Sequence, residues 1–382
     1  MRIGIDARYL NGEFSGIATY SERLIENIAQ LDTHNEYVVY VHPGLRRKLN
    51  TGANFKIRTY NARAVSLRTM WDFGKFIEPD RLDLLHSHFP LAPITWEGPL
   101  LTTVHDLQAI TVPDFTARRK WLVRKLYDLF YRFAYPVTIK RSRYIIAVSK
   151  ATAHEIATLF PEKAHDTIVT HSGLDESYFV PPDPQVEEET IEKLGLPPYF
   201  VLYIGSTRPN KNLPNMIRAF GKVIEHSQNL KNDVLNNLNL VLIINPDRFF
   251  APCRELIKRL GISDRVSIYR QLSEEQIKVF YRRARLLSFV TKNEGFGFPM
   301  LEAQACGTPV LAANHGALPE IANGSTLIVD PDDVDDITGG LIRLLINDSL
   351  IEQCRKAGLA NARRYTWKSA AERVHEIYEN LF

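Results

Sequence analysis

The chain has 382 residues, 45% of them hydrophobic and 24% charged, which excludes a disordered, collagen-like or low-complexity protein and makes about two domains the default. Cys253, Cys306 and Cys354 are too few for a disulfide scaffold and lack the CxxC spacing of a zinc site, so a reducing, cytoplasmic compartment is expected. The net charge of +3 is too small to argue by itself for nucleic acid.

The opening RIGIDAR, residues 2–8, reads as a buried strand, and Asp6 and Arg8 interrupt the apolar run that a signal peptide needs. Ser15 to Leu31 carries Ile17, Tyr20, Leu24, Ile28 and Leu31 at helical spacing. Strand-like runs recur at 37–43, 82–89, 100–106, 144–149 and 167–173, with helix-like stretches between several of them. Such alternation predicts a parallel sheet covered on both faces.

Residues 115–143 hold nine basic side chains, including Arg118, Arg119, Lys120, Arg124, Lys125 and Arg132, against the single acid Asp128. This segment carries +8, which leaves the rest of the chain near −5. Within 117–133, Trp121, Leu122, Leu126, Leu129, Phe130 and Phe133 recur at spacings of one, three and four, an apolar helix stripe with basic flanks. One reading is a helix in a membrane interface, with Arg118, Arg119, Lys120, Arg124 and Lys125 on anionic headgroups. The other is a basic helix packed on its own domain with the stripe in the core. The two coexist if only the cations face lipid. No run approaches 18 uncharged apolar residues, so no spanning segment is expected.

Residues 181–199 contain Pro181, Pro182, Pro184, Pro197, Pro198 and the run Glu187-Glu188-Glu189, and the start of this segment reads as an interdomain linker. The alternation then restarts, with strands at 199–205, 239–245, 265–269, 286–291, 308–313 and 325–330. Helices are expected near 212–227, 251–260, 273–284 with Ser273 as N-cap, and 299–307, and two or three more close the chain. The expected architecture is α/β: two doubly wound domains, over 1–180 and 190–366, with ligands at the carboxyl ends of strands and in the cleft between domains.

The sharpest constellation runs from Lys292 to Glu302, two glutamates separated by a glycine- and phenylalanine-bearing loop and the start of a helix at Pro299. A helix N-terminus is an anion site. Glu294 ahead of it and Glu302 about one turn inside suit a ligand with an anionic middle and polyol ends, a nucleotide-sugar. Arg208 and Lys211, after a strand and before a helix, suit its diphosphate, whose charge grows as it leaves. The loop from Asn11 to Ile17, with Gly16, could approach phosphate or be an ordinary βα loop. His105-Asp106 ends a strand, where a histidine could orient a sugar hydroxyl or stabilise positive charge. Asp333-Val334-Asp335 has the look of a metal-bound nucleotide site, but Asp332 and Asp333 are better placed to begin a helix, so no metal is expected.

The run from Glu294 to Glu302, continuing through Ala305-Cys306-Gly307-Thr308-Pro309-Val310, resembles the signature of retaining GT-B glycosyltransferases of family four. The resemblance covers nearly the whole chain: Ser15-Gly16-Ile17 resembles the first-loop motif and His105-Asp106 the catalytic pair of the N-terminal domain. Val148-Ser149-Lys150 and Ser172-Gly173-Leu174-Asp175 match landmarks before the linker, and Arg208 and Lys211 match the donor-diphosphate cations. The resemblance implies that Glu294 holds the donor sugar, that Gly295, Phe296, Gly297 and Phe298 contact sugar and phosphate, and that Pro299, Met300 and Leu301 belong to the donor-binding stretch. It further implies that Glu302 binds the ribose, that Tyr269, Arg270 and Gln271 form the nucleobase loop, that no divalent metal is needed, and that a helix over 367–382 crosses back onto the first domain.

The mechanism implied is retention at the anomeric carbon by front-face attack, a donor phosphate oxygen taking the acceptor's proton. The chain most resembles bacterial mannosyltransferases of surface-polysaccharide assembly, which makes GDP-mannose the expected donor and a glycan or lipid-linked molecule the acceptor. UDP-glucose and UDP-N-acetylglucosamine are the alternative donors. A non-catalytic nucleotide-sugar-binding protein of the same fold and an RNA-binding protein led by the basic segment are the competing classes; no RNP or KH signature supports the latter.

Overall fold

Seven short runs of the first half pair side by side and all parallel, β1 (Arg2–Asp6), β2 (Glu36–Val41), β3 (Phe55–Thr59), β4 (Leu84–Ser87), β5 (Leu100–Val104), β6 (Tyr144–Ala147) and β7 (Thr167–Val169). Their order in the sheet is β3-β2-β1-β4-β5-β6-β7. The second half forms another all-parallel sheet from β8 (Tyr199–Ile204), β9 (Leu238–Ile243), β10 (Val266–Tyr269), β11 (Leu286–Phe289), β12 (Val310–Ala313) and β13 (Leu327–Val329), in the order β10-β9-β8-β11-β12-β13. These are the coordinates of a computed structural model, which describes residues 1–12, 15–45, 48–112, 121–227 and 232–381. Glu13 and Phe14 of the first loop and Arg118, Arg119 and Lys120 of the basic segment lie outside the described residues.

The chain divides into two units, Met1–Gly173 with Tyr365–Phe382, and Leu174–Arg364. In the first, the central strands are buried from end to end, as strands covered on both faces must be. Asp6 and Arg8, which broke the apolar run in the sequence, form a fully buried pair: Arg8 Nη2 lies 2.6 Å from Asp6 Oδ2, Nη1 donates to Thr69 Oγ1 at 3.0 Å, and the guanidinium lies over the Phe73 ring. The last helix, Trp367–Glu379, belongs to this unit. Its Tyr378 hydroxyl meets His86 Nδ1 at 2.6 Å, and its His375 Nε2 lies 3.1 Å from Asp32 Oδ2.

The second unit corrects one expectation. The segment read as the start of a linker contains a helix, Pro184–Leu194, which belongs to this unit. Asp183 caps it by accepting from Gln185 N–H, Pro184 occupies its first turn, Gly195 ends it in the left-handed conformation, and Glu187 pairs with Arg283. Ser273 caps the Glu274–Arg283 helix as expected, with a reciprocal bond from its backbone N–H to Gln276. Asp333 caps the Val334–Ile346 helix, accepting from Asp335 and Asp336 N–H, and Asp335 pairs with Lys222.

Candidate functional site

From β8 the second sheet grows outward through β9 and β10, and from β11 through β12 and β13 on the other side, so the order of strand addition reverses between the parallel neighbours β8 and β11. The carboxyl ends of these two strands therefore diverge into loops on either side of a crevice, the standard ligand position in open α/β sheets. Both sharp motifs sit there. Residues 205–212 follow β8, and residues 290–297 follow β11.

The two loops are fastened to each other. Lys292 N–H donates to Asn210 O at 2.8 Å. Asn212, buried and left-handed at φ 59°, donates from Nδ2 to Val290 O at 2.9 Å and to Pro331 O at 2.7 Å. Between these anchors a single 3₁₀ turn, Pro209–Lys211, presents Lys211, whose ammonium forms an ion pair with Glu294 Oε1. Both side chains keep a minor exposed fraction, 22% and 13%, so the pair is reachable by a ligand yet partly desolvated.

After Glu294 the chain must turn sharply into the Phe298–Ala305 helix, and Gly297 does so at φ +104°, a conformation that costs side-chain-bearing residues. The Phe296 and Phe298 rings meet edge to face at 5.1 Å. The helix starts with Phe298 and Pro299, so its first amides point back at the loop. The Glu294 backbone is clasped from the far side. Ala317 N–H donates to Glu294 O at 3.1 Å, and Gly316, at φ +60°, lies so close that a Cβ on it would sit 2.8 Å from that same oxygen. Gly316 carries no motif signature and was not singled out from the sequence.

Glu302 faces two phenols. Tyr281 donates to Glu302 Oε2 at 2.8 Å, and Tyr178 bonds the same carboxylate. Burial pushes the Glu302 carboxyl up to about 7; the two hydroxyls oppose the rise, and Glu274 and Asp175 add to it. Met300 and Leu301, expected in the donor-binding stretch, have fully buried side chains. They are core residues of the helix, and Met300 N–H already donates to Gly297 O at 3.1 Å. The Tyr269 hydroxyl donates to Leu194 O at 3.2 Å and its ring packs on Phe280, so the side chain braces the end of the Pro184–Leu194 helix. Arg270 and Gln271 are exposed, Gln271 with a positive φ of 55°. Arg208 is half-buried on the same loop as Lys211 and accepts at its carbonyl from Lys211 N–H at 2.9 Å.

The first sheet has the same reversal, between β1 and β4. His88 follows β4, its N–H donating to Asp6 O at 3.3 Å, and His105 follows β5. His105 Nε2 lies 3.0 Å from the His88 carbonyl. A carbonyl only accepts, so Nε2 carries the proton and Nδ1 is left as a lone-pair acceptor. Burial lowers the His105 pKa to about 4, which keeps the ring neutral at ordinary pH. The Tyr20 ring stands edge-on to it at 4.8 Å. Asp106 accepts from Gln108 N–H at 3.0 Å. Ser15 caps the Gly16–Leu31 helix, accepting from Ala18 N–H, and Gly16 is exposed at its start.

The apolar stripe of the basic segment lies on the Trp121–Arg141 helix. The reading that put this stripe in the core is overturned: Leu122, Leu126, Leu129 and Phe133 are 63%, 62%, 67% and 50% exposed. Phe130 alone of the described stripe turns toward the core, beside Ala134, Tyr135 and Ile139. The Trp121 side chain is outside the described groups. Among the described residues no helix is long and apolar enough to cross a membrane.

Two family models match the chain: Glycosyltransferase Family 4 over residues 14–178, and Glycosyl transferases group 1 over residues 186–361. The chain is similar to the O-antigen chain mannosyltransferase B of Escherichia coli, 27% identical over 286 residues, which are 74% of this chain and 70% of that protein. It is 29% identical over 293 residues to the MMP alpha-(1->4)-mannosyltransferase of Mycolicibacterium hassiacum, 74% of this chain and 65% of that protein. Among solved structures, sucrose-phosphate synthase from Thermosynechococcus elongatus shares the fold with a TM-score of 0.76 at 19% identity, over 100% of this chain and 99% of that one.

Proposed function

The chain belongs to the GT-B glycosyltransferases, and on that basis we propose that it moves mannose from GDP-mannose, with retention, to a glycan or lipid-linked acceptor in polysaccharide biosynthesis on the cytoplasmic side of a membrane. The observation that carries the donor site is the Lys211–Glu294 pair at the β8/β11 reversal, ahead of a glycine-turned helix N-terminus. The mannose assignment draws its support from the mannosyltransferase relatives.

Each residue then has one task. Glu294 accepts from the sugar hydroxyls, and Lys211 and Arg208 hold the diphosphate. Gly295 to Phe298 offer backbone N–H groups to sugar and phosphate, and Glu302 accepts from the ribose hydroxyls. His105 Nδ1 accepts from a hydroxyl. In the chemical step the bond from the anomeric carbon to the phosphate oxygen breaks, and the acceptor hydroxyl bonds to that carbon on the same face. Its proton passes to a phosphate oxygen of the leaving GDP. Fixed cations gain most at that moment, when the diphosphate carries its largest charge. They serve the role a divalent metal has elsewhere, so the reaction is proposed to run without one. The +8 segment around Arg124 and Lys125 belongs to the same reading, as the side that meets an anionic membrane surface.

A melting-temperature screen tests the donor. A ligand at a hundred times its Kd adds about 2.7 kcal/mol of stability, so GDP-mannose should raise the Tm most. A larger rise with UDP-glucose or UDP-N-acetylglucosamine would replace the donor and leave the fold assignment standing.

A further inference from the structure

The Trp121–Arg141 helix has two faces that do opposite things. Ala134, Tyr135, Thr138 and Ile139 are buried in the first unit. Leu122, Leu126, Leu129 and Phe133 are half exposed or more, at 63%, 62%, 67% and 50%. Steps of four, three and four residues keep those four within about 60° of one another on a helix, roughly half a turn from the buried set. The helix therefore spends one face on the core and offers a continuous apolar ridge on the other. Isolated exposed leucines need no explanation, but a ridge of four large side chains does.

Charge names the occupant. Lys125 and Arg132, seven residues apart, line one flank of the ridge, both exposed, while Lys140 at the helix end pairs with Glu162 at 3.4 Å. Asp128, the only acid of the segment, is paired with Arg124 at 3.9 Å. A second copy of the chain laid on this ridge would bring Lys125 and Arg132 against their own counterparts, a like-charge contact that opposes a dimer. A surface that is apolar below and anionic above fits both features together: acyl chains take the leucines, headgroup phosphates take the cations.

We propose that Leu122, Leu126, Leu129 and Phe133, flanked by Lys125 and Arg132, form a docking surface for an anionic lipid bilayer, the helix lying in the interface plane. The proposal deepens the membrane part of the functional reading, and its test needs neither donor nor acceptor, so the two stand or fall separately. Two signals act together, which a purely electrostatic contact would not show: salt weakens the binding, and the ridge retains a part of it.

Flotation with vesicles of phosphatidylcholine, with and without phosphatidylglycerol, is the experiment. The wild-type chain should float with the anionic vesicles and much less with the neutral ones. Lys125→Glu with Arg132→Glu should cut partitioning by about fivefold or more per cation removed. Leu126→Asp with Leu129→Asp should cut it by roughly tenfold or more, with the wild-type Tm showing that the fold survives. Wild-type protein that ignores anionic vesicles at low salt overturns the proposal. So does a Leu126→Asp, Leu129→Asp variant that floats undiminished, or one whose only change is loss of a dimer by sedimentation, because then a second copy covers the ridge.

Discussion

Lys211 and Glu294, 83 positions apart in the chain, form an ion pair across the carboxyl ends of β8 and β11. The pair joins the residue proposed to hold the donor's diphosphate to the one proposed to hold its sugar. Each therefore sets the position of the other before any ligand arrives. Preorganised charge of this kind is where catalytic electrostatics is strongest, because nothing has to reorganise during the reaction.

Lys211→Ala should lower kcat more than it raises donor KM. One such contact to developing charge is worth about 3 kcal/mol, roughly a hundredfold in rate. Glu294→Ala should also lose most turnover with the fold intact. Because each substitution orphans the other residue, the double variant should fall well short of the product of the two losses. Steady-state kinetics on the three variants decides this; strictly multiplicative losses mean the pair does not act as a unit.

Gly316 offers a test away from the motifs. Its φ of +60° and the 2.8 Å from a Cβ to Glu294 O leave no room for a side chain. Gly316→Val should displace the Glu294 backbone and cut kcat by roughly tenfold or more, as misplacement of a catalytic group does. The far-ultraviolet circular dichroism should stay native. Full activity in that variant would show that the loop adjusts freely.

Glu302 predicts a pH dependence with a definite sign. Its carboxyl sits up at about 7 because of burial, and ribose hydroxyls bond the ionised form. Below that pH the site must shed a proton to bind, so donor KM should climb about tenfold per pH unit, and above it KM should level off. Glu302→Gln should flatten the profile. The raised value also means that folding loses stability as pH climbs from the ordinary carboxyl range toward 7. The same variant should therefore gain Tm at pH 8 relative to wild type and gain little at pH 4. A wild-type KM that does not change between pH 5 and 8 refutes the ribose role in this form.

Much of this architecture is legible from apolar spacing alone, because buried parallel strands are nearly continuous apolar runs. The strand that hides, β3, is an edge strand whose Lys56 and Arg58 break the apolar run. The helix Pro184–Leu194 hides for a different reason: its prolines and glutamates match linker composition, although Asp183-Pro184 is also a helix start and Gly195 a helix stop. Glu294, Gly297 and Glu302 stand out because their spacing is local. Gly316, Asn212 and the carbonyl of His88 do not, since each acts by a tertiary approach that leaves no mark in its own neighbourhood.

The last helix should matter to stability rather than to chemistry. Tyr378→Phe removes the 2.6 Å partner of His86 Nδ1 inside the first unit. A buried polar atom left unsatisfied costs about 1–3 kcal/mol, which denaturant melts should register as a lower midpoint. An unchanged midpoint would mean that the contact contributes nothing net.

EDTA should leave activity at its full value, because Lys211, Arg208 and the helix N-terminus already serve the diphosphate. Abolition by EDTA with rescue by magnesium or manganese would overturn the metal-free reading.

The central claim is that residues around Lys211 and Glu294 activate a nucleotide-sugar, and the release of GDP from GDP-mannose measures it most directly. With the purified protein and water as the only acceptor, slow release of GDP is expected from the wild-type chain and its near-complete loss from Glu294→Ala. GDP-mannose that persists intact with the wild type, or equal release by both proteins, would contradict the account.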